Sequence, residues 1–150
     1  MVSDFRIVPA GTHQAGALTA LMEASAAYQG RYASILAGYQ VTAADIEQYP
    51  TFVAMADAEI LGFYSLIVEP PELDLLFVAD KAQGTGLGAE LVAHMFETAR
   101  EKGISSVRVV SHPPAEGFYL RMGARRIGVI PAKPPKIPWE RPELVFDVPA

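Results

Sequence analysis

The chain of 150 residues is 51% hydrophobic, 9% aromatic and 19% charged, which supplies one sizeable apolar core and excludes intrinsic disorder. Its formal net charge of −5 argues against a nucleic-acid partner, because neutralising phosphates needs a basic face. It contains no cysteine, which excludes disulfides, thiolate metal ligands and a cysteine nucleophile.

The longest apolar runs, such as residues 60–68, are interrupted by Gly62 and Ser65 and fall well short of the roughly 20 residues that span a bilayer, so no membrane anchor is expected. The first six residues show no basic segment followed by an apolar stretch, which makes the cytoplasm the default location. Charge is unevenly spread. Residues 1–75 carry nine acids and two bases and residues 76–150 carry eight acids and ten bases, so one half suits a cation and the other an anion. His13, His94 and His112 lack metal-ligand spacing, and no metal is expected.

In chain order, residues 5–8 read as a short strand closed by Pro9. Thr12 can cap a helix with Leu18, Leu21, Met22 and Tyr28 at helical spacing and Gly30 as its stop. Tyr32, Ile35, Leu36 and Tyr39 repeat that period, and Thr42 with Asp45 three residues on predicts a short helix ending before Pro50. Residues 51–56 and 59–68, joined by a turn at Asp57-Ala58, form a hairpin pattern. Glu69-Pro70-Pro71 separates it from a strand over 73–78.

The stretch Gln83-Gly84-Thr85-Gly86-Leu87-Gly88 then opens a helix with Leu87, Leu91, Met95 and Ala99 on one stripe, flanked by Val92 and Phe96 and stopped by Gly103. About 15 helical residues rise about 23 Å, enough to return the chain for a parallel strand over 104–110, a βαβ unit. A short helix over 115–122, a strand over 125–130, a proline-rich connection over 131–142 and a last strand over 144–148 complete the pattern. The proline-rich connection, with Lys133, Lys136 and Trp139, also suits a ligand of proline-recognition domains, but the strand after it makes an internal connection the simpler reading. No repeat or second domain is visible. The expected fold is an α/β (α+β) domain with a mixed sheet flanked by helices and a central βαβ unit.

A helix that begins directly after a strand leaves its first backbone N–H groups without partners, and its dipole adds roughly half a positive charge there. Gly84, Gly86 and Gly88 keep side chains out of the way of a phosphate, and Gln83 offers a further amide donor. Ala89-Glu90 stands where a nucleotide-hydrolysing phosphate loop needs Lys-Ser/Thr. Gly84-x-Gly86-x-x-Ala89 satisfies a loose dinucleotide fingerprint, yet residues 107–111, Val-Arg-Val-Val-Ser, lack the acid expected at the next strand end. Dinucleotide and coenzyme A binding both stay open on spacing alone.

The run from Leu76 to Gly88 resembles the acetyl-CoA motif Gln/Arg-x-x-Gly-x-Gly/Ala of the GNAT N-acetyltransferases, with Gln83, Gly86 and Gly88 at its three defining positions. Residues 118–124, Phe-Tyr-Leu-Arg-Met-Gly-Ala, are similar to the family's second element, Phe-Tyr-x-x-x-Gly-Phe. Two departures stand out: Ala124 replaces the final Phe, and His112 stands six residues before Phe118 where the family often has Asn. The resemblance covers essentially the whole chain. It implies a mixed, mostly antiparallel sheet of six to seven strands. Residues 1–50 would form the acceptor-side helical segment, 51–123 the hairpin and acyl-CoA core, and 124–150 the C-terminal strands.

The resemblance further implies acetyl-CoA as co-substrate, its pantetheine arm paired with the main chain of Leu76, Phe77 and Val78 and its pyrophosphate held by Gln83, Gly84, Thr85, Gly86, Leu87 and Gly88, with His112 and Tyr119 nearby. The acetyl group would pass directly to a primary amine of a small molecule or peptide. The chain has neither a cysteine nor a Gly-x-Ser-x-Gly elbow, so no acyl-enzyme is needed. Tyr119 is the candidate acid for the leaving thiolate, whose pKa near 8.5 by analogy with cysteine is within about two units of a phenol.

Glu72 is the candidate base, with Asp74 two residues along and water as alternatives. Glu47, Glu69, Glu72 and Asp74 would steer a cationic acceptor, Tyr28, Tyr32 and Tyr39 would line either its pocket or the core, and Lys81, Arg121, Arg125 and Arg126 would face the cofactor's ribose phosphate. A non-catalytic acyl-CoA-binding or dinucleotide-binding module is the alternative, and a homodimer is compatible with either.

Overall fold

A computed structural model describes residues 5–28, 30–36 and 38–150; residues 1–4, 29 and 37, and the side chains of Ala27, Arg31 and Ile35, the last in the second apolar stripe, lie outside the described residues. Seven strands, β1 (Arg6–Pro9), β2 (Thr51–Ala56), β3 (Glu59–Ile67), β4 (Glu72–Val78), β5 (Ser106–Val110), β6 (Arg125–Ile130) and β7 (Arg141–Asp147), form one sheet in the order β1-β2-β3-β4-β5-β7-β6. Every neighbouring pair is antiparallel except β4 and β5. The helices are α1 (Ala15–Glu23), α2 (Ala43–Gln48), α3 (Leu87–Glu101) and α4 (Glu116–Arg121).

Side-chain alternation along the strands divides the apolar residues between two cores, one on each face of the sheet. On one face, Leu87, Leu91, Val92, Met95 and Ala99 of α3 and Tyr119 of α4 pack on Tyr64, Leu66, Leu73, Val107, Val109, Leu144 and Phe146. On the other face, Leu18 and Met22 of α1 and Ile46 of α2 cover Val53, Phe63 and Phe77. The βαβ unit is the expected one, with α3 ending at Glu101 ahead of Gly103, whose φ is +72°. The hairpin turn sits at Asp57-Ala58, and α2 carries the expected capping box, Asp45 N–H donating to Thr42 Oγ1 at 3.1 Å and Thr42 N–H to Asp45 Oδ2 at 3.0 Å.

The front third is less helical than its periodicity predicts. Thr12 heads a 3₁₀ turn, Thr12–Gln14, whose N-cap is Gly11, and α1 stops at Glu23 rather than near Gly30. Tyr28 and the Tyr32/Leu36 pair lie in the 3₁₀ segments Ala26–Tyr28 and Gly30–Leu36. A tertiary bond fixes the first of these, Ala26 N–H donating to Asp80 Oδ1 at 3.2 Å, and local period 3.6 yields to it. At the other end β7 begins at Arg141, three residues ahead of the predicted strand. Pro142 is tolerated inside it because it lies opposite Ser111, beyond the end of β5, and its carbonyl accepts from Ser111 N–H at 2.9 Å.

Gly62 is required by close approach. A Cβ built there would stand 2.8 Å from the Phe77 carbonyl oxygen and 3.3 Å from Leu91 Cδ1. A backbone oxygen in a paired strand cannot yield as a side chain can. Gly62→Ala is therefore expected to destabilise the fold by about 1–3 kcal/mol, read as a drop in Tm of several degrees; an unchanged Tm would contradict the β3–β4 register.

Candidate functional site

Among the described residues β4 and β5 are paired only through Glu72 and Arg108, with Arg108 N–H donating to the Pro71 carbonyl at 3.1 Å. Beyond that step the two strands separate, and the gap is a cleft of ≈ 780 Å³ lined by β4, the end of β5, the start of α3, and α4. An ion-pair chain ties its closed end across three strands. Arg108 Nη1 donates to Glu72 Oε1 at 3.0 Å and Arg108 Nε to Glu143 Oε2 at 2.6 Å.

The separation leaves half of the β4 backbone unpaired. Ala79 N–H donates to the Leu61 carbonyl at 2.8 Å. Phe77, two residues earlier, has its carbonyl oxygen against Gly62. In an antiparallel ladder the intervening residues face the other way, so the main-chain groups of Leu76 and Val78 point into the cleft while those of Phe77 bind β3. The Val78 carbonyl is in fact met from that side, by Gln83 Nε2 at 3.1 Å. One N–H of the Gln83 amide thus braces the turn, while the side chain still lines the cleft.

The three motif glycines do different work. Gly84 (φ +76°) and Gly86 (φ +87°) adopt the left-handed conformation that other residues resist, and a Cβ on either would meet nothing within 4 Å. Gly88 instead makes room for Phe118, whose ring atoms would lie 2.9 and 3.0 Å from a Cβ. Gly88 lines the cleft as the other two do, and in addition couples α3 to α4. Thr85 Oγ1 donates to the Ala82 carbonyl and Leu87 is buried in the core. The turn therefore offers main-chain groups to the cleft. Gly86 is the N-cap of α3 and supplies no side-chain acceptor, so the N–H groups of the first turn stay open at the cleft mouth.

Tyr119 stands in the cleft wall, 8% exposed, with its ring edge-on to Phe118 and Phe146. Burial, reinforced by neighbouring Tyr28, pushes its hydroxyl pKa well above the usual phenol value of 10. His112 is buried, stacked on Tyr28 at 3.8 Å between centroids and edge-on to Tyr32 at 4.6 Å, which in turn meets Trp139 at 4.8 Å. Tyr28 and Tyr39 line the cleft, whereas Tyr32 stands behind His112. Burial raises the Tyr28 hydroxyl to about 12. The proline-rich connection thus anchors an aromatic stack, with Ser34 Oγ donating to the Lys136 carbonyl at 2.6 Å.

The two candidate bases differ. Glu72 is held by Arg108, whereas Asp74 makes no ion pair among the described residues. Ser65 pairs with Leu75 and Leu66 with Leu73, so Asp74 is the extra residue of a bulge and does not simply repeat the direction of Glu72. Asp74 reaches solvent through the cleft, yet the surrounding walls, then Glu72 and Asp45, hold its carboxyl pKa above the usual 3.8. It also borders a second cavity of ≈ 250 Å³ with Asp45, Tyr39 and Ser65.

Of the bases expected near a ribose phosphate, Lys81 pairs with Glu59, Arg125 with Asp147 and Arg126 with Glu116, while Arg121 lines the cleft. The Asp74 bulge and the Arg108 ion-pair chain are invisible to strand alternation, since both depend on register between strands.

A family model for the acetyltransferase (GNAT) domain matches residues 20–130. A 5-NmdU N-acetyltransferase of Pseudomonas phage PaMx11 is 37% identical over 75 residues, covering 47% of this chain and 54% of that protein, so the match spans about half the length of the curated relative. A GCN5-related N-acetyltransferase from Rhodopseudomonas palustris superposes with a TM-score of 0.85 at 18% identity, covering 98% of each chain. An aminoglycoside 6′-N-acetyltransferase complexed with coenzyme A gives a TM-score of 0.73 at 14% identity over 97% of this chain and 98% of that one. With a seven-stranded, mostly antiparallel sheet opened at its one parallel step, and a family match over residues 20–130, the chain belongs to the GNAT acetyltransferase family.

Proposed function

We propose that the protein transfers an acetyl group from acetyl-CoA to a primary amine of a small molecule or peptide, by direct attack and without an acyl-enzyme. The observation that carries this reading is the β4–β5 gap, which sets an unpaired strand edge, an uncapped helix N-terminus and a buried phenol around one cleft. The amide-bearing arm, the pyrophosphate and the thioester of one acyl-CoA fit those three groups in that order. The main-chain groups of Leu76 and the N–H of Val78, whose carbonyl Gln83 already meets, offer strand-like pairing to the arm, and the turn at Gly84 and Gly86 offers main-chain N–H groups to the pyrophosphate. Solved relatives carrying coenzyme A or acetyl-CoA support the same ligand, and the N-acetyltransferase name of the phage relative supports the same reaction class.

In this reading Tyr119 donates a proton to the departing sulfur. Its raised pKa keeps it protonated throughout the working range but makes it a weaker acid than the match of phenol and thiolate in the sequence reading assumes, so the proton must pass as the C–S bond breaks. The amine must lose a proton before or as it attacks. For an alkyl amine near 10.4 that loss costs roughly 4–5 kcal/mol at pH 7. Glu72 is engaged with Arg108, and Asp74 takes the base role, directly or through water.

Incubation with acetyl-CoA and a panel of amines, read by product mass, is expected to give an acetylated amine. Tyr119→Phe is expected to lower turnover by at least 10² while leaving the KM for acetyl-CoA within a few-fold; turnover within threefold of the parent would refute the acid role. The pH profile of kcat/KM is expected to fall on the acid side through a value above 3.8, because Asp74 must be deprotonated and its pKa is raised. It should show no loss from Tyr119 below pH 10. Asp74→Asn should remove that acid limb and Glu72→Gln should keep it; the opposite pair of results would return the role to Glu72.

A further inference from the structure

Arg141 begins β7 at the cleft and is half-buried there. Its Nε is buried with no hydrogen-bond partner, and its guanidinium makes no ion pair among the described residues. An N–H donor withdrawn from water and given no acceptor is costly to the folded chain, and here it belongs to a group whose planar fork can pair with an oxyanion. The nearest acid on its own strand face, Glu143, is already taken by Arg108 at 2.6 Å.

The side of the sheet on which Arg141 stands follows from the strand itself. Leu144 and Phe146 point into the core beneath α3. Alternation therefore sends Arg141, Glu143 and Val145 to the opposite face, the face of α1 and α2, where Arg108 meets Glu143 and Glu72. The glycine turn that opens α3 lies on the other side of the cleft. Arg141 thus faces the side from which an acceptor would enter and is separated by the sheet from the main-chain groups assigned to pyrophosphate.

We infer that Arg141 binds an anionic group, carboxylate or phosphate, on the acceptor, so that the acceptor carries an anion as well as the amine. This inference rests on the transferase reading given above. The two ends of the acceptor then meet opposite charges: the amine lies toward Asp74 and the anion toward Arg141. Two regular strand spacings and about two ladder steps would put the two backbones on the order of 10–15 Å apart; the parting of β4 from β5 widens that, and both residues line the one cleft, which fits an acceptor with its amine and its anion at opposite ends. A guanidinium supplies the paired donors that either oxyanion geometry requires.

The test uses ¹⁵N NMR of the arginine Nε–H signals, with that of Arg141 assigned by its loss in Arg141→Lys. Protein loaded with coenzyme A is titrated separately with acetate and with inorganic phosphate, and chloride sets the background. A saturable shift of the Arg141 signal with acetate or phosphate, weakened at least tenfold in Arg141→Lys when followed at neighbouring backbone amides, supports the inference, and the tighter probe names the anion. No shift with either probe overturns it. A shift seen in the free protein but abolished by coenzyme A overturns it as well, since Arg141 would then serve the cofactor. Failure of coenzyme A to bind at all would instead refute the transferase reading, and it is scored independently by the amide signals of the glycine turn.

Discussion

The parting of β4 from β5 after a single ladder step is the constraint on which the rest of the site depends. Had the two strands stayed paired, the main-chain groups of Leu76 and Val78 would be consumed by the sheet and Tyr119 would face a sealed core. One feature fixes where the gap closes and another draws the strands apart beyond it. The Glu72–Arg108–Glu143 chain pins the closed end. Beyond it β5 is drawn toward β7, with Ser111 N–H bonded to Pro142, and its exit is packed with His112, Tyr28 and Tyr32. A partly exposed ion pair contributes little to stability, so the value of the Arg108 chain lies in registering three strands at one point.

The gap connects two faces with different chemistry. On the α3/α4 face the cleft offers main-chain donors from the glycine turn and a phenol held in its protonated form. On the α1/α2 face it offers carboxylates, and a carboxyl whose pKa is raised by limited hydration and by like charges. The uneven charge of the two halves of the chain does not map onto this division, since Arg108, Glu143 and Arg141 of the second half stand on the same face as Glu72.

Much of this was legible in the sequence because the signals are local. The α3 stripe, the Thr42/Asp45 capping box, the Asp57-Ala58 turn and the glycine turn each depend on residues a few positions apart, and each is where its pattern placed it. The resemblance to GNAT motifs supplied the relation between turn and Tyr119 that local patterns lack. What local patterns do not carry depends on distant contacts. The front helices shorten to 3₁₀ segments where Ala26 is bound by Asp80, Gly88 serves Phe118 across thirty residues, and Gln83 bends back onto Val78. The bulge at Asp74 arises from β3 and β4 pairing out of step. A lone arginine after a run of prolines carries no signal at all until β7 is seen to start at Arg141.

The most direct test of the account is amide hydrogen exchange along β4 with and without acetyl-CoA. The amides of Leu76 and Val78, which face the gap, are expected to become protected on binding, while that of Phe77, already bonded to β3, is expected to change little. Protection that leaves Leu76 and Val78 unaltered would contradict the claim that the gap between β4 and β5 is where the thioester arm lies.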